Sequence, residues 1–267
     1  MTGPARGQAR VRAAFDAARR DDRAAFLPYL TGGWPDREAF LRHARTLLRH
    51  ADLLEVGLPF SDPLGDGPTI QRSSEEALRA GVRTAHVLDQ VRELRSETDT
   101  PIVIMTYANP IVCYAHGGER GFVRDLAAAG ADGAILPDLP PEEAGDLIEA
   151  SREHDLATVF LAAPTSTEAR MRTVTEASRG FVYAVSVTGV TGMRDAASDA
   201  VPDLVRRLRA TSDLPVVVGF GVGNAATASP VAAVADGVAV GSAVIRRIAE
   251  GGDLEALAAE IAGACRR

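Results

Sequence analysis

A chain of 267 residues, 46% hydrophobic and 24% charged, suits one (β/α)8 barrel of about 250 residues or two ordinary domains. Its net charge of −7 argues against a nucleic-acid or anionic-membrane surface, and no apolar run reaches the roughly 18 residues of a membrane span. The polar N-terminus has no signal-peptide core, and two cysteines, Cys113 and Cys265, suit a reducing cytoplasm and exclude a disulfide framework.

An Arg/Ala-rich amphipathic helix is expected near residues 11–23. Strand signals follow at 25–30, 52–56, 102–106, 133–136, 157–161, 181–185, 215–218 and 237–240, each a run of Val, Ile, Leu or Phe ahead of turn residues. Helical spacing fills 37–48, 74–95, 120–129, 142–154, 167–177, 201–211, 225–234 and 254–264. Eight strands alternating with eight helical stretches, without a break in composition, predict one α/β domain over 1–267. Its form is a parallel (β/α)8 TIM barrel with an extra N-terminal helix. A doubly wound sheet gives the same alternation, and the count of eight separates the two.

The second strand leads into the most informative stretch of the chain, EVGLPFSDPLGDGPTIQ over residues 55–71. Side chains alternate along a strand, so Leu54 and Val56 share one face while Leu53, Glu55 and Gly57 share the other. An ionised Glu on a buried strand is costly unless it is paired or chemically employed. Glu55 is therefore a candidate for acid/base chemistry, and Asp62 and Asp66 follow in the adjoining Gly/Pro loop.

All 29 basic residues are arginine, which excludes a Schiff base on a lysine side chain. The five histidines show no metal-ligand spacing, which points away from a metal-assisted aldolase. Bond chemistry in this chain is expected to run on carboxylates, without lysine or metal.

Later elements add rim residues. On a TIM barrel the site forms where strands end, which places Glu55, Asp66, Tyr107, Asn109, Asp138, Tyr183 and Thr191 on one rim. Tyr107 and Tyr183 read as pocket walls rather than catalysts, and Asp138 serves equally well as a helix cap. An anion site is expected from VGFGVGN (218–224) after strand seven and VGSAV (240–244) after strand eight, which opens a short helix. Glycines let backbone N–H groups approach a phosphate, and the helix N-terminus adds its dipole. A third loop, SVTGVTG (186–192), follows strand six and can close over the same group.

With these motifs in view, the chain resembles the tryptophan synthase alpha subunit over nearly its whole length, from FLPYLT (26–31) to GSA (241–243). The stretch GLPFSDPLGDGP (57–68) is the most specific. The resemblance implies a lyase that splits indole-3-glycerol phosphate into indole and glyceraldehyde 3-phosphate, with Glu55 and Asp66 as the catalytic acids. It implies a phosphate cradle of Gly192, Gly221, Gly241 and Ser242, with Thr191 and Phe220 beside it. Phe26, Tyr107 and Tyr183 match the walls of the indole pocket. It also implies a PLP-bearing beta subunit as partner in an alpha2beta2 assembly, met through loops near Ser61, Asp62, Pro63 and Asn109.

Two departures stand out. Gly65 replaces the usual Ala, and GGWP (32–35) follows strand one where an Ala-Gly-Asp-Pro-like run is common. A stand-alone lyase releasing free indole, a weakly catalytic activator of a beta subunit, and another barrel enzyme acting on a phosphorylated sugar are the alternatives.

Overall fold

The computed structural model describes residues 6–185, 196–219 and 221–267. Eight strands close into a barrel in chain order, every neighbour parallel: β1 (Ala25–Thr31), β2 (Leu54–Gly57), β3 (Ile102–Met105), β4 (Gly133–Leu136), β5 (Ala157–Ala162), β6 (Val182–Val185), β7 (Val216–Gly219) and β8 (Gly237–Val240). β8 returns to β1 in a register running from Ala25↔Gly237 to Pro28↔Val240. All eight predicted strands are present, nearly at their expected bounds. The TIM barrel expected from the sequence is the observed fold.

The helices are α1 (Gly7–Arg20), α2 (Arg37–Leu48), α3 (Pro68–Arg79), α4 (Thr84–Arg95), α5 (Ala108–Val112), α6 (Gly118–Ala128), α7 (Gly145–Glu153), α8 (Glu168–Ala177), α9 (Ala196–Arg209), α10 (Ala225–Val234), α11 (Ser242–Ala249) and α12 (Leu254–Ala264). No helix among the described residues is long and apolar enough to cross a membrane. One expectation changes. The stretch 74–95 is two helices, broken at Gly81, whose φ of +85° suits glycine. Apolar residues continue on both sides of that break, so periodicity alone reads through it. α3 also starts earlier, with Pro68 in its first turn, where the missing N–H is no loss.

The strands are buried on both faces, as parallel strands under a helical shell must be. Leu27, Leu53, Val103, Ile135, Val159, Phe181 and Val217 fill the barrel interior. Leu54, Val56, Ile104 and Val218 point outward and pack in the layer beneath the helices. The extra helix α1 joins the interior cluster through Val11, Phe15 and Ala18, with the Phe15 and Phe181 rings 5.5 Å apart. Truncating a ring such as Phe181 to Ala removes about 3–5 kcal/mol in a core of this kind.

Below β4 sits Asp132, with a side chain only 1% exposed. Arg10 of α1 and Arg95 of α4 each donate to it at 2.7 Å, and the Ile102 N–H donates at 2.9 Å. Burial still holds its carboxyl above the ordinary range, against the pull of both guanidiniums. The N-terminal end of the barrel is thus plugged and ion-paired, which leaves the C-terminal end for chemistry.

Candidate active site

Glu55 lies on β2 opposite Tyr29 of β1 and Val103 of β3, on the inward face with Leu53. It is 1% exposed, and its Oε1 has no hydrogen-bond partner among the described residues. Burial alone pushes its carboxyl up to about 8. Glycines at the ends of two strands make room for the rings around it. A Cβ on Gly57 would stand 2.0 Å from the Tyr29 hydroxyl, and one on Gly219 would stand 2.2 Å from the Tyr183 hydroxyl. Burial raises both phenols, so both stay neutral hydrogen-bonding walls. The Tyr29 hydroxyl also lies 3.4 Å from Thr31 Oγ1, which pairs at 2.6 Å with Ser73 of α3.

Asp66 reaches the same place from the β2–α3 loop. That loop folds back on itself, Leu64 N–H donating to Asp62 O at 2.9 Å and Asp66 N–H to Pro63 O at 3.0 Å. Gln71 Nε2 donates to the Asp66 carbonyl at 2.9 Å, pinning the loop to α3. Tyr107 buttresses it from behind: its hydroxyl accepts the Gly65 N–H at 3.1 Å, and its ring stacks 5.3 Å from Phe60. A Cβ on residue 65 would stand 3.2 Å from that hydroxyl, so glycine keeps the approach open. Burial pushes the Asp66 carboxyl up to about 6, while a hydrogen bond from Tyr107 pulls it back.

The two acids line a cavity of about 260 Å3 together with Tyr29, Tyr183, Met105 and Ile70. Its opposite wall is Gly221, Val222 and Gly223 after β7, then Gly241, Ser242 and Ala243 where α11 begins. Gly221 has a φ of +80°, the left-handed backbone that turns this loop toward the cavity. The first N–H groups of a helix lack partners within it, so the start of α11 can donate to an anion. Arg246, one turn further along α11, completes the lining. Two wider grooves flank α3 on the outside, of about 760 and 950 Å3, but the acids that line them are exposed.

Of the predicted site residues, Glu55, Asp66, Tyr183, Gly221, Gly241 and Ser242 meet at this cavity. Thr191, Gly192 and Phe220 lie outside the described residues, as does the 186–192 loop. Phe26 does not reach the cavity. It pairs with Val238 and packs in the layer beneath the helices, because it alternates with Leu27, which points inward. Tyr29, on the same face as Leu27, takes the wall position instead. Tyr107 supports the Asp66 loop rather than lining the cavity, and Asp138 accepts the Ala108 N–H at 2.8 Å, at the start of α5. Sequence reasoning missed Tyr29, Ile70, Met105 and Arg246. Alternation puts Tyr29 on the face of Leu27, but pairing across to Glu55 is what shows that this face is the inward one. Among the described residues no cluster of three or more His, Cys, Asp or Glu could hold a metal ion.

The family model for the tryptophan synthase alpha chain matches residues 15–265. The tryptophan synthase alpha chain of Deinococcus radiodurans is 55% identical over all of this chain and 98% of its own length. That of Mycobacterium marinum is 46% identical, again over all of this chain and 98% of its own. A chain in a structure of Mycobacterium tuberculosis tryptophan synthase superposes with a TM-score of 0.90 at 46% identity, covering 98% of this chain and 100% of that one. With a barrel of the same form and likeness along its full length, this chain belongs to the tryptophan synthase alpha chain family.

Proposed function

We infer that this chain is a carbon–carbon lyase that cleaves indole-3-glycerol phosphate into indole and glyceraldehyde 3-phosphate. The observation that carries the reading is one cavity lined by a buried and a half-buried carboxyl, Glu55 and Asp66, pushed to different ranges, opposite a glycine-lined anion cradle. Between about pH 6 and 8 that difference keeps Glu55 protonated and Asp66 ionised. Two acids held apart in this way mark an acid and a charge stabiliser.

The chemistry is a retro-aldol step. Glu55 gives its proton to C3 of the indole, which turns the ring into an electrophilic indoleninium. As a carboxylate it then takes the proton of the adjacent glycerol hydroxyl. The C–C electron pair returns to the ring, the carbinol carbon becomes an aldehyde, and the proton count closes. Asp66 accepts the indole N–H and offsets the positive charge that grows in the ring. Tyr29, Tyr183 and Met105 wall the indole. Gly221, Gly241 and Ser242 hold the phosphate; by the family resemblance Gly192 shares that role, and Thr191 and Phe220 count among the substrate-binding residues.

Members of this family pair with a beta subunit. We assign the partner face to the loops carrying Ser61, Asp62, Pro63 and Asn109. In support, Leu64 and Val112, beside those loops, are 91% and 54% exposed and are the large hydrophobic side chains that stand clear of the surface among the described residues.

Purified protein should release indole from indole-3-glycerol phosphate without added metal or PLP. Asp66→Asn should lower turnover by about 10²-fold or more, the scale of a lost transition-state charge contact. A wild-type protein inert both alone and with a cognate beta subunit would leave only a binding role.

A further inference from the structure

In the reading above, an acidic cavity must accept a phosphate dianion, and the inference that follows rests on that reading. Of the two acids that face the cavity, Asp66 is ionised in that reading, and the chain as a whole carries −7. Against this charge the described glycine loops offer uncharged donors, backbone N–H groups and the Ser242 hydroxyl, and the start of α11, worth about half an elementary charge. Among the described residues, one that lines the cavity carries a full positive charge, Arg246.

Its placement suits an anion. Arg246 stands four residues beyond Ser242 on α11, so both lie on the same helix face. In a helix the Cα–Cβ bond tilts toward the N-terminus, which leans this side chain back over the unpaired N–H groups. Arg246 also lines the outer groove between α3 and α11, and so stands at the mouth where the two meet. Its neighbour Arg247 is engaged by the Asp253 carbonyl at 3.3 Å, whereas Arg246 is exposed and has no ion pair among the described residues.

We propose that Arg246 is the ionic clamp of the substrate's phosphate. Its planar fork pairs with phosphate oxygens left uncovered by the backbone N–H groups at residues 241–243, and its charge draws the dianion past Asp66. A clamp on the unreacting tail serves capture, not the chemical step. It therefore discriminates the phosphorylated substrate from indole itself.

Arg246→Gln and Arg246→Lys in the full chain test this. Indole release by the wild type first establishes the lyase reading, and its absence would remove that reading and the clamp together. With that activity in hand, Arg246→Gln should raise KM about 10- to 100-fold, the scale of a lost charge-assisted hydrogen bond, with kcat unchanged. Affinity for glyceraldehyde 3-phosphate and for inorganic phosphate, read by calorimetry, should weaken by a similar factor while indole affinity stays put. The dependence of kcat/KM on salt should flatten, and Arg246→Lys should recover part of each effect. An active wild type whose Arg246→Gln variant keeps its KM and phosphate affinity overturns the clamp. Equal loss of indole and phosphate affinity overturns it too, since that marks a collapsed site.

Discussion

Replacing Glu55 by Gln should raise stability as it abolishes turnover, and the gain should depend on pH. The side chain is 1% exposed, and burial moves its carboxyl from an ordinary 4.5 up to about 8. Below pH 4.5 the group is neutral in both folded and unfolded chains and contributes no pH-dependent term. As pH rises from there toward 8 the unfolded chain releases a proton that the folded chain keeps, so the fold loses stability. Above about 8 both states have ionised and the loss stops growing. The full loss is about 5 kcal/mol, and between pH 5 and 9 it is about 4 kcal/mol. The amide in the variant has no proton to release over this range, and Asp66 titrates in both proteins and largely cancels. Urea unfolding of wild type and Glu55→Gln at pH 5, 7 and 9 should therefore show a difference that widens in the variant's favour by roughly 4 kcal/mol. Indole release measured on the same samples should be lost. A stability difference that stays flat across this range would refute the desolvated carboxyl and the acid role built on it.

The pH profile of kcat/KM should peak between about 6 and 8, falling on the acid side as Asp66 protonates and on the basic side as Glu55 ionises; activity held constant down to pH 5 would contradict it. Tyr107→Phe removes the hydroxyl whose hydrogen bond lowers the Asp66 carboxyl, so the acid limb should move to higher pH, and an unmoved limb would deny that contact. Asp132→Ala leaves Arg10 and Arg95 without their shared counter-charge and should lower unfolding free energy by about 3–5 kcal/mol. Because Asp132 lies at the plugged end, KM should hold in the folded variant; a shifted KM with unchanged stability would reverse that assignment.

The barrel was legible because each strand is a compact apolar run and turn residues separate the runs. Glu55 was legible for the opposite reason, as a carboxylate interrupting such a run. The same strand chemistry hid the face of β1. Its seven residues are buried on both sides, so no polar alternation tells whether Phe26 or Tyr29 points inward. Pairing supplies the answer, since Tyr29 sits directly across from Glu55. The break at Gly81 was hidden by apolar residues that continue past it. Arg246 was hidden because the helix after β8 read only as short, and its role depends on a turn counted from Ser242. Thr31 and Ser73 are far apart in sequence, and nothing local announces the 2.6 Å contact that ties β1 to the helix behind Asp66.

The treatment of buried acids at the two ends of the barrel argues most strongly for where chemistry occurs. Asp132 receives two arginines and a backbone N–H. Asp52, ahead of β2, receives Arg23 at 2.8 Å and the Phe26 N–H at 2.9 Å. The scaffold has arginines in abundance and uses them on these acids. Glu55, buried like Asp132, is given none among the described residues, and one of its oxygens is left without a donor there. Pairing it would favour its charged form and pull its carboxyl downward, the direction in which both guanidiniums act on Asp132. An unpaired Glu55 keeps a proton at neutral pH, at a cost in stability, and its missing partner is the kind of group a substrate brings.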